Sequence, residues 1–267
     1  MIVFVSCLFL MRLSFFNIKN IVIDGIITVS TNDIEEKVLA GLQGQYFSII
    51  PKSNIFLYPK KHIERLITDS FKEIDYVYMK RKDISSLNIS IKERMPSAIV
   101  CSGFYTDNSS GEGNSCYFSD KNAYLYSKVP SSQTSSQLKK YNYYYISDDE
   151  NEITTGMTFV NKERFEALQD FIDGALRGGI FPLGILIGDE GEYEMYMENK
   201  TNRNSNISSE ELPEVTVYFD DKWSFDFTLS NLLTFWKNTI DKSKNSNIPV
   251  FDYINLRFGN TIYYSTQ

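Results

Sequence analysis

The chain has 267 residues, enough for one or two domains with a sizeable core. A hydrophobic content of 42% and an aromatic content of 15% exclude a disordered chain. A formal net charge of −7 argues against nucleic-acid binding, which calls for a basic face, and 18 tyrosines with 19 phenylalanines favour strands.

The chain opens with "MIVFVSCLFLM", apolar apart from Ser6, followed after Arg12 by "LSFF". A full membrane span needs about 20 apolar residues, so the run is short. It also lacks the basic region that precedes the apolar part of a signal peptide. Residues 1–15 are expected to be a transmembrane anchor whose first residues are missing or mis-started, with the exit toward the folded body at about Leu13–Phe16. The alternative is a buried first strand or helix, since short apolar runs are ambiguous.

In "FNIKNIVIDG", Phe16, Ile18, Ile21 and Ile23 are strand formers and Asp24-Gly25 supplies a turn. "STNDIEEKVLAGLQG" predicts a helix. Ser30 with Asp33 resembles a capping box, Ile34, Val38 and Leu42 share a face, and Gly44 stops it. A second helix follows Pro59, with Ile63, Leu66, Ile67 and Phe71 as its apolar stripe. "IDYVYMKR" and "LNISIKER" predict two strands, Leu87, Ile89 and Ile91 alternating with polar residues. The order is strand, helix, helix, strand, strand, within a span suited to a small domain.

From Met95 the texture changes to polar Gly/Ser-rich loops, "TDNSSGEGNS" and "KVPSSQTSSQ". Between them "CYFSD" and "AYLYS" predict a hairpin. "YNYYYI" predicts a strand, and "NKERFEALQDFIDGALRGG" a helix with Phe165, Leu168, Phe171, Ile172, Ala175 and Leu176 on one face. "LGILIG" and "YEMYM" predict strands, and "VTVYF-DDK-WSFDF" a second hairpin turning at Asp220-Asp221. Leu229, Leu232, Leu233, Trp236 and Ile240 mark a last helix before the closing strands. Runs of strands interrupted by single helices define the α+β class.

Glu93-Arg94-Met95-Pro96-Ser97-Ala98 resembles the ER-x-P-x-A motif of the FtsQ/DivIB bacterial cell-division proteins. "FNIKNIVIDGIITVSTNDI" is similar to the opening of that family's POTRA domain, "CYFSDKNAYLYSKVP" to its y-x-x-D-x-x-G-x-x-f hairpin, and "YINLRFGNTIYY" to its closing YIDLR stretch. The resemblance runs through nearly the whole chain. It implies a transmembrane segment at 1–15, a POTRA domain (βααββ) at 16–95 and an FtsQ-type β-domain at 96–267, a mixed sheet with two helices. Ala123 stands where the family has Gly, leaving Asn122 to supply the left-handed turn residue, and Asn255 replaces Asp. The basic cytoplasmic tail is absent.

No phosphate loop, HExxH or GxSxG pattern occurs. His62, the one histidine, sits on the charged flank of a helix and cannot build a multi-histidine metal site. Asp220 and Asp221 are adjacent, so in a strand they would point to opposite faces, and they are expected to form a turn rather than flank a substrate. No enzyme activity and no cofactor are expected. Outside the cytoplasm, Cys101 and Cys116 can oxidise and staple the first hairpin of the second domain. Closing a loop of about 15 residues is worth roughly 3 kcal/mol. Two buried free thiols are the alternative.

The resemblance implies a non-catalytic, single-pass protein of the bacterial plasma membrane. Its bulk would be extracytoplasmic at the division septum, binding FtsB/DivIC-like and FtsL-like membrane proteins and helping to regulate septal peptidoglycan synthesis. The alternatives are a POTRA-containing protein-translocation component and an envelope enzyme acting on glycan. The terminal strand, about Phe258 to Ser265, is expected to be an exposed sheet edge, with neither proline nor lysine to guard it. In the resembled family this end receives FtsB as an added strand. The expected partner-binding residues are Arg257, Phe258, Gly259, Asn260, Thr261, Ile262, Tyr263 and Tyr264. Ile262 and Tyr264 would share one face, and Arg257 would meet an acidic partner residue. An ordinary closing strand, capped by the tail or by self-association, is the alternative.

Overall fold

The structure, a computed structural model, describes residues 13–103, 115–130, 132–133, 135–147, 153–198, 214–242 and 249–266. The chain divides into two compact units, Met1–Met95 and Pro96–Gln267. The α+β class expected from the sequence is what the chain adopts.

In the first unit a 3-10 turn at Ser14–Phe16 leads to β1 (Asn20–Asp24), α1 (Thr31–Leu42) and a small hairpin of β2 (Gln45–Tyr46) and β3 (Ile50–Pro51). Then come α2 (Lys60–Ser70), β4 (Ile74–Arg81) and β5 (Ser86–Glu93). The sheet order is β1-β5-β4, with β1 parallel and β4 antiparallel to β5. Leu87, Ile89 and Ile91 turn to the same side as Val77 and Met79. They close a core with Ile34, Val38 and Leu42 of α1 and Ile63 and Ile67 of α2, as the two periodicities require. Two local expectations fail. Ser30 is the N-cap residue of α1, but its side chain makes no capping bond; Asp33 is a methylene shorter than the Glu or Gln a capping box uses. The stretch after Gly44, which carries no strand pattern, folds as the β2–β3 hairpin.

The second unit holds β6 (Ala98–Ser102), β7 (Cys116–Ser119), β8 (Leu125–Lys128), a one-turn helix at Ser135–Leu138, β9 (Asn142–Ile146) and α3 (Lys162–Arg177). After these come β10 (Phe181–Ile187), β11 (Glu192–Glu198), β12 (Glu214–Asp220), α4 (Phe225–Lys242), β13 (Phe251–Phe258) and β14 (Thr261–Thr266). The strands form one mixed sheet in the order β14-β13-β12-β11-β10-β9-β6-β7-β8. The helices serve as crossovers: α3 links parallel β9 and β10, and α4 links parallel β12 and β13. Phe165, Leu168, Phe171 and Ile172 of α3, with Leu232 and Trp236 of α4, pack onto Tyr144, Ile185, Tyr193, Met195, Val217, Phe219 and Ile254 of the sheet. A smaller apolar cluster of Ile99, Cys101, Phe118, Tyr126, Tyr145 and Leu186 forms beside it.

The second hairpin expected at "VTVYF-DDK-WSFDF" does not form. Trp223–Phe227 alternates like a strand, but the Ser224 hydroxyl accepts the Phe227 N–H at 3.3 Å and its carbonyl accepts the Thr228 N–H at 3.0 Å, so the chain turns into α4. At the β7–β8 turn, Ala123 itself takes the left-handed conformation (φ 62°), not Asn122. The anchor expected over 1–15 lies mostly outside the described residues, and among those described no helix is long and apolar enough to cross a membrane.

Candidate functional site at the open sheet edge

β13 and β14 make an antiparallel hairpin whose register runs from Phe251 opposite Thr266 to Phe258 opposite Thr261. The turn is built by Gly259 and Asn260. Gly259 holds φ +63°, and a Cβ there would stand 2.9 Å from Trp223 Cζ2, so both conformation and space favour glycine. Asn231 of α4 donates its amide N–H to the Gly259 carbonyl at 3.0 Å, tying the turn to the helix. Phe258, Gly259 and Asn260 therefore end β13 and form the turn. The edge strand itself is Thr261–Thr266, and it includes Ser265 and Thr266, which the sequence-derived site leaves out.

Among the described residues β14 pairs only with β13 and stands at one end of the sheet. Its outward N–H and C=O groups form a template for another strand. The opposite end is treated differently. There the first residue of β8 is bonded by the chain's own loop: Leu125 N–H donates to the Met157 carbonyl at 2.8 Å, and Gly156 N–H to the Leu125 carbonyl at 2.7 Å.

The two faces of β14 differ as strand alternation dictates. Ile262 packs on the main core, and the Tyr264 ring meets Phe235 at 5.2 Å and Phe251 at 5.7 Å. Tyr263 on the other side meets Phe258 edge-to-face at 5.0 Å. Phe258, Tyr263 and Tyr264 stay 57%, 54% and 55% exposed. The six residues of β14 carry no charge, and the nearest anchoring contact is Ser265 Oγ on the Asp252 carboxylate at 3.2 Å.

Arg257 lies on β13, not on the edge strand. Its guanidinium pairs with Glu192 of β11 at 3.4 Å and lies 5.3 Å from the Tyr218 ring centre. An acidic partner would have to compete for it. Burial pushes the Tyr218 phenol up, Glu194 adds to this, and Arg257 partly offsets it.

The other singled-out residues fall elsewhere. Cys101 and Cys116 are register partners on β6 and β7 and are joined by a disulfide, with Cα atoms 4.1 Å apart. The bond therefore clips β6 to β7, not the β7–β8 hairpin. Asp220 ends β12 and accepts the Lys222 N–H at 3.2 Å, while Asp221 pairs with Arg164 of α3 at 2.6 Å. Asp220 thus holds the start of the α4 connection, and Asp221 ties it to α3. His62 is exposed on α2. Among the described residues no group of three or more His, Cys, Asp or Glu is placed to hold a metal ion.

Glu93 and Arg94 each hold a loop of the first unit. The Glu93 carboxylate accepts the Ile27 N–H at 2.8 Å, the Thr28 N–H at 2.9 Å and the Val29 N–H at 3.1 Å, together with the Thr28 hydroxyl. Arg94 binds the Lys72 carbonyl at 3.0 Å and Asp75 at 3.3 Å. No protein-family model matches the chain, and no curated protein matches it.

Proposed function

We propose that the chain is an FtsQ/DivIB-like division protein without catalytic activity, anchored by residues 1–15. In this reading it has a POTRA domain at 16–95 and a β-domain at 96–267 that takes up a strand from an FtsB/DivIC-like partner beside β14, with an FtsL-like protein in the same complex. The observation that carries it is the uncharged edge strand Thr261–Thr266, which among the described residues has no second neighbour, at the far end of the sheet from β8, whose Leu125 the chain's own loop bonds. Added main-chain bonds supply affinity, and the Tyr263 and Tyr264 rings flank the incoming strand. The left-handed Ala123 supports the resemblance, because it occupies the position where the family has Gly.

The test is a proline scan of Thr261–Thr266 with co-purification of small membrane proteins from detergent extracts. Alternate residues of an edge strand aim their N–H outward. Proline at those positions removes a donor for the partner but none for β13. It is expected to abolish capture while cooperative melting persists. Undiminished capture by every variant that stays folded would reject β14 as the interface.

A further inference from the structure

One end of the first unit gathers exposed apolar side chains. Phe47, at the tip of the β2–β3 hairpin, is 92% exposed. It and Ser48 both hold left-handed backbone (φ 50° and 59°), in a turn closed by the Ile49 N–H on the Tyr46 carbonyl at 3.0 Å. A phenylalanine there is costly in water on two counts, exposed ring and strained backbone. The hairpin runs directly into Ser53 and Asn54, which pair with the segment Phe16–Ile18: Ile18 N–H donates to the Ser53 carbonyl at 2.8 Å, and Ile55 N–H to that of Phe16. Phe56 packs on Phe16 at 5.7 Å, and Leu13, Phe15, Phe56 and Ile84 are exposed around this segment.

Cations lie beside the segment that the hairpin runs into. The Arg81 guanidinium lies 5.2 Å from the Phe56 ring centre. Lys19 N–H binds the Ser85 carbonyl in the β4–β5 turn, next to Lys82, and the acid in that turn is Asp83. Residues 1–95 carry 13 Lys and Arg against 10 Asp and Glu, whereas residues 96–267 carry 14 against 24. The basic, apolar end is also where the apolar run "MIVFVSCLFLM" joins the fold.

We propose that this end of the first unit is a membrane-docking face. Phe47 and Ile49 would enter the lipid interface, and Lys19, Arg81 and Lys82 would meet anionic headgroups. Aromatic rings favour the interface, and basic side chains gain from an anionic leaflet. The inference rests on the reading of residues 1–15 as an anchor, and adds that the folded unit itself lies on the bilayer.

The full-length chain with Cys7→Ser and Ser48→Cys, spin-labelled at the new thiol, is reconstituted into vesicles of phosphatidylethanolamine and phosphatidylglycerol. Collisions of the label with oxygen and with a water-soluble nickel chelate are compared with those of a Glu36→Cys control on α1. Immersion raises the oxygen-to-nickel ratio at position 48 at least several-fold over the control. Phe47→Asp returns it to the control value, with thermal melting unchanged. Vesicles that float with the chain while position 48 stays as open to nickel as position 36 overturn the docking face and leave the anchor standing. The same immersion in neutral phosphatidylcholine overturns the anionic-headgroup contact. A chain that fails to float with vesicles overturns the anchor, and the docking inference with it.

Discussion

Glu93 gathers three backbone donors and a hydroxyl from the loop between β1 and α1. Burial raises its pKa, but these hydrogen bonds together outweigh burial, and the net shift is downward. A carboxylate with a depressed folded pKa stabilises the fold above its ordinary value, and that stability is lost as the pH falls through the folded value. Glu93→Gln is expected to cost roughly 2–3 kcal/mol at neutral pH, in the range of hydrogen bonds to charged groups. Thermal melting of the first unit should also become less steep in pH below the ordinary glutamate value. An unchanged melting profile across that range would refute this. Ala123 argues in the opposite direction. A left-handed L-residue costs about 1–2 kcal/mol, while its buried methyl returns roughly 0.8 kcal/mol. Ala123→Gly is therefore expected to raise the melting temperature by about 1–2 °C, and Ala123→Val, with a branched Cβ, to lower it. Calorimetry of the two variants gives the sign directly.

At the scale of elements, the disulfide and the edge strand do different work. Cys101–Cys116 closes a separation of 15 residues across β6 and β7. In the chain-entropy account its loss costs about 3 kcal/mol. Denaturant titration with and without reductant should show that difference in the second unit and none in the first. Several elements were legible in the sequence because their periods were complete: α3, whose expected face is buried except for Leu176 at 38% exposure, the alternation of β5, and the paired runs of β10 and β11. Others were not. Trp223–Phe227 has the alternation of a strand but the cap of a helix, and Ser224 decides between them through two hydrogen bonds. β6 is too short, and too close to Pro96, to show a period of its own. Its identity as a strand comes from β7 on one side and β9 on the other.

At the scale of the molecule, the two units differ in charge and in sheet architecture. A three-stranded sheet carries two helices in one, and a nine-stranded sheet carries two long helices in the other. In the proposed topology both lie outside the cytoplasm. A C-terminal fusion to a reporter active only outside the cytoplasm is expected to show activity in cells, and a fusion active only inside would reject this orientation.

The sequence by itself determined the α+β class, the inward faces of both units and the lack of edge guards after Phe258, because these depend on residue type and spacing along one segment. The tertiary structure decided what depends on distant partners. It placed Arg257 on Glu192 and Tyr218 instead of leaving it free for a partner, and it moved the edge strand to Thr261–Thr266. It also bonded Leu125 of β8 to the loop at Gly156–Met157 while leaving β14 without a second neighbour among the described residues. Whether a strand is an edge is a property of the sheet order, and no local pattern encodes that order, because each pairing is chosen by strands far away in the chain.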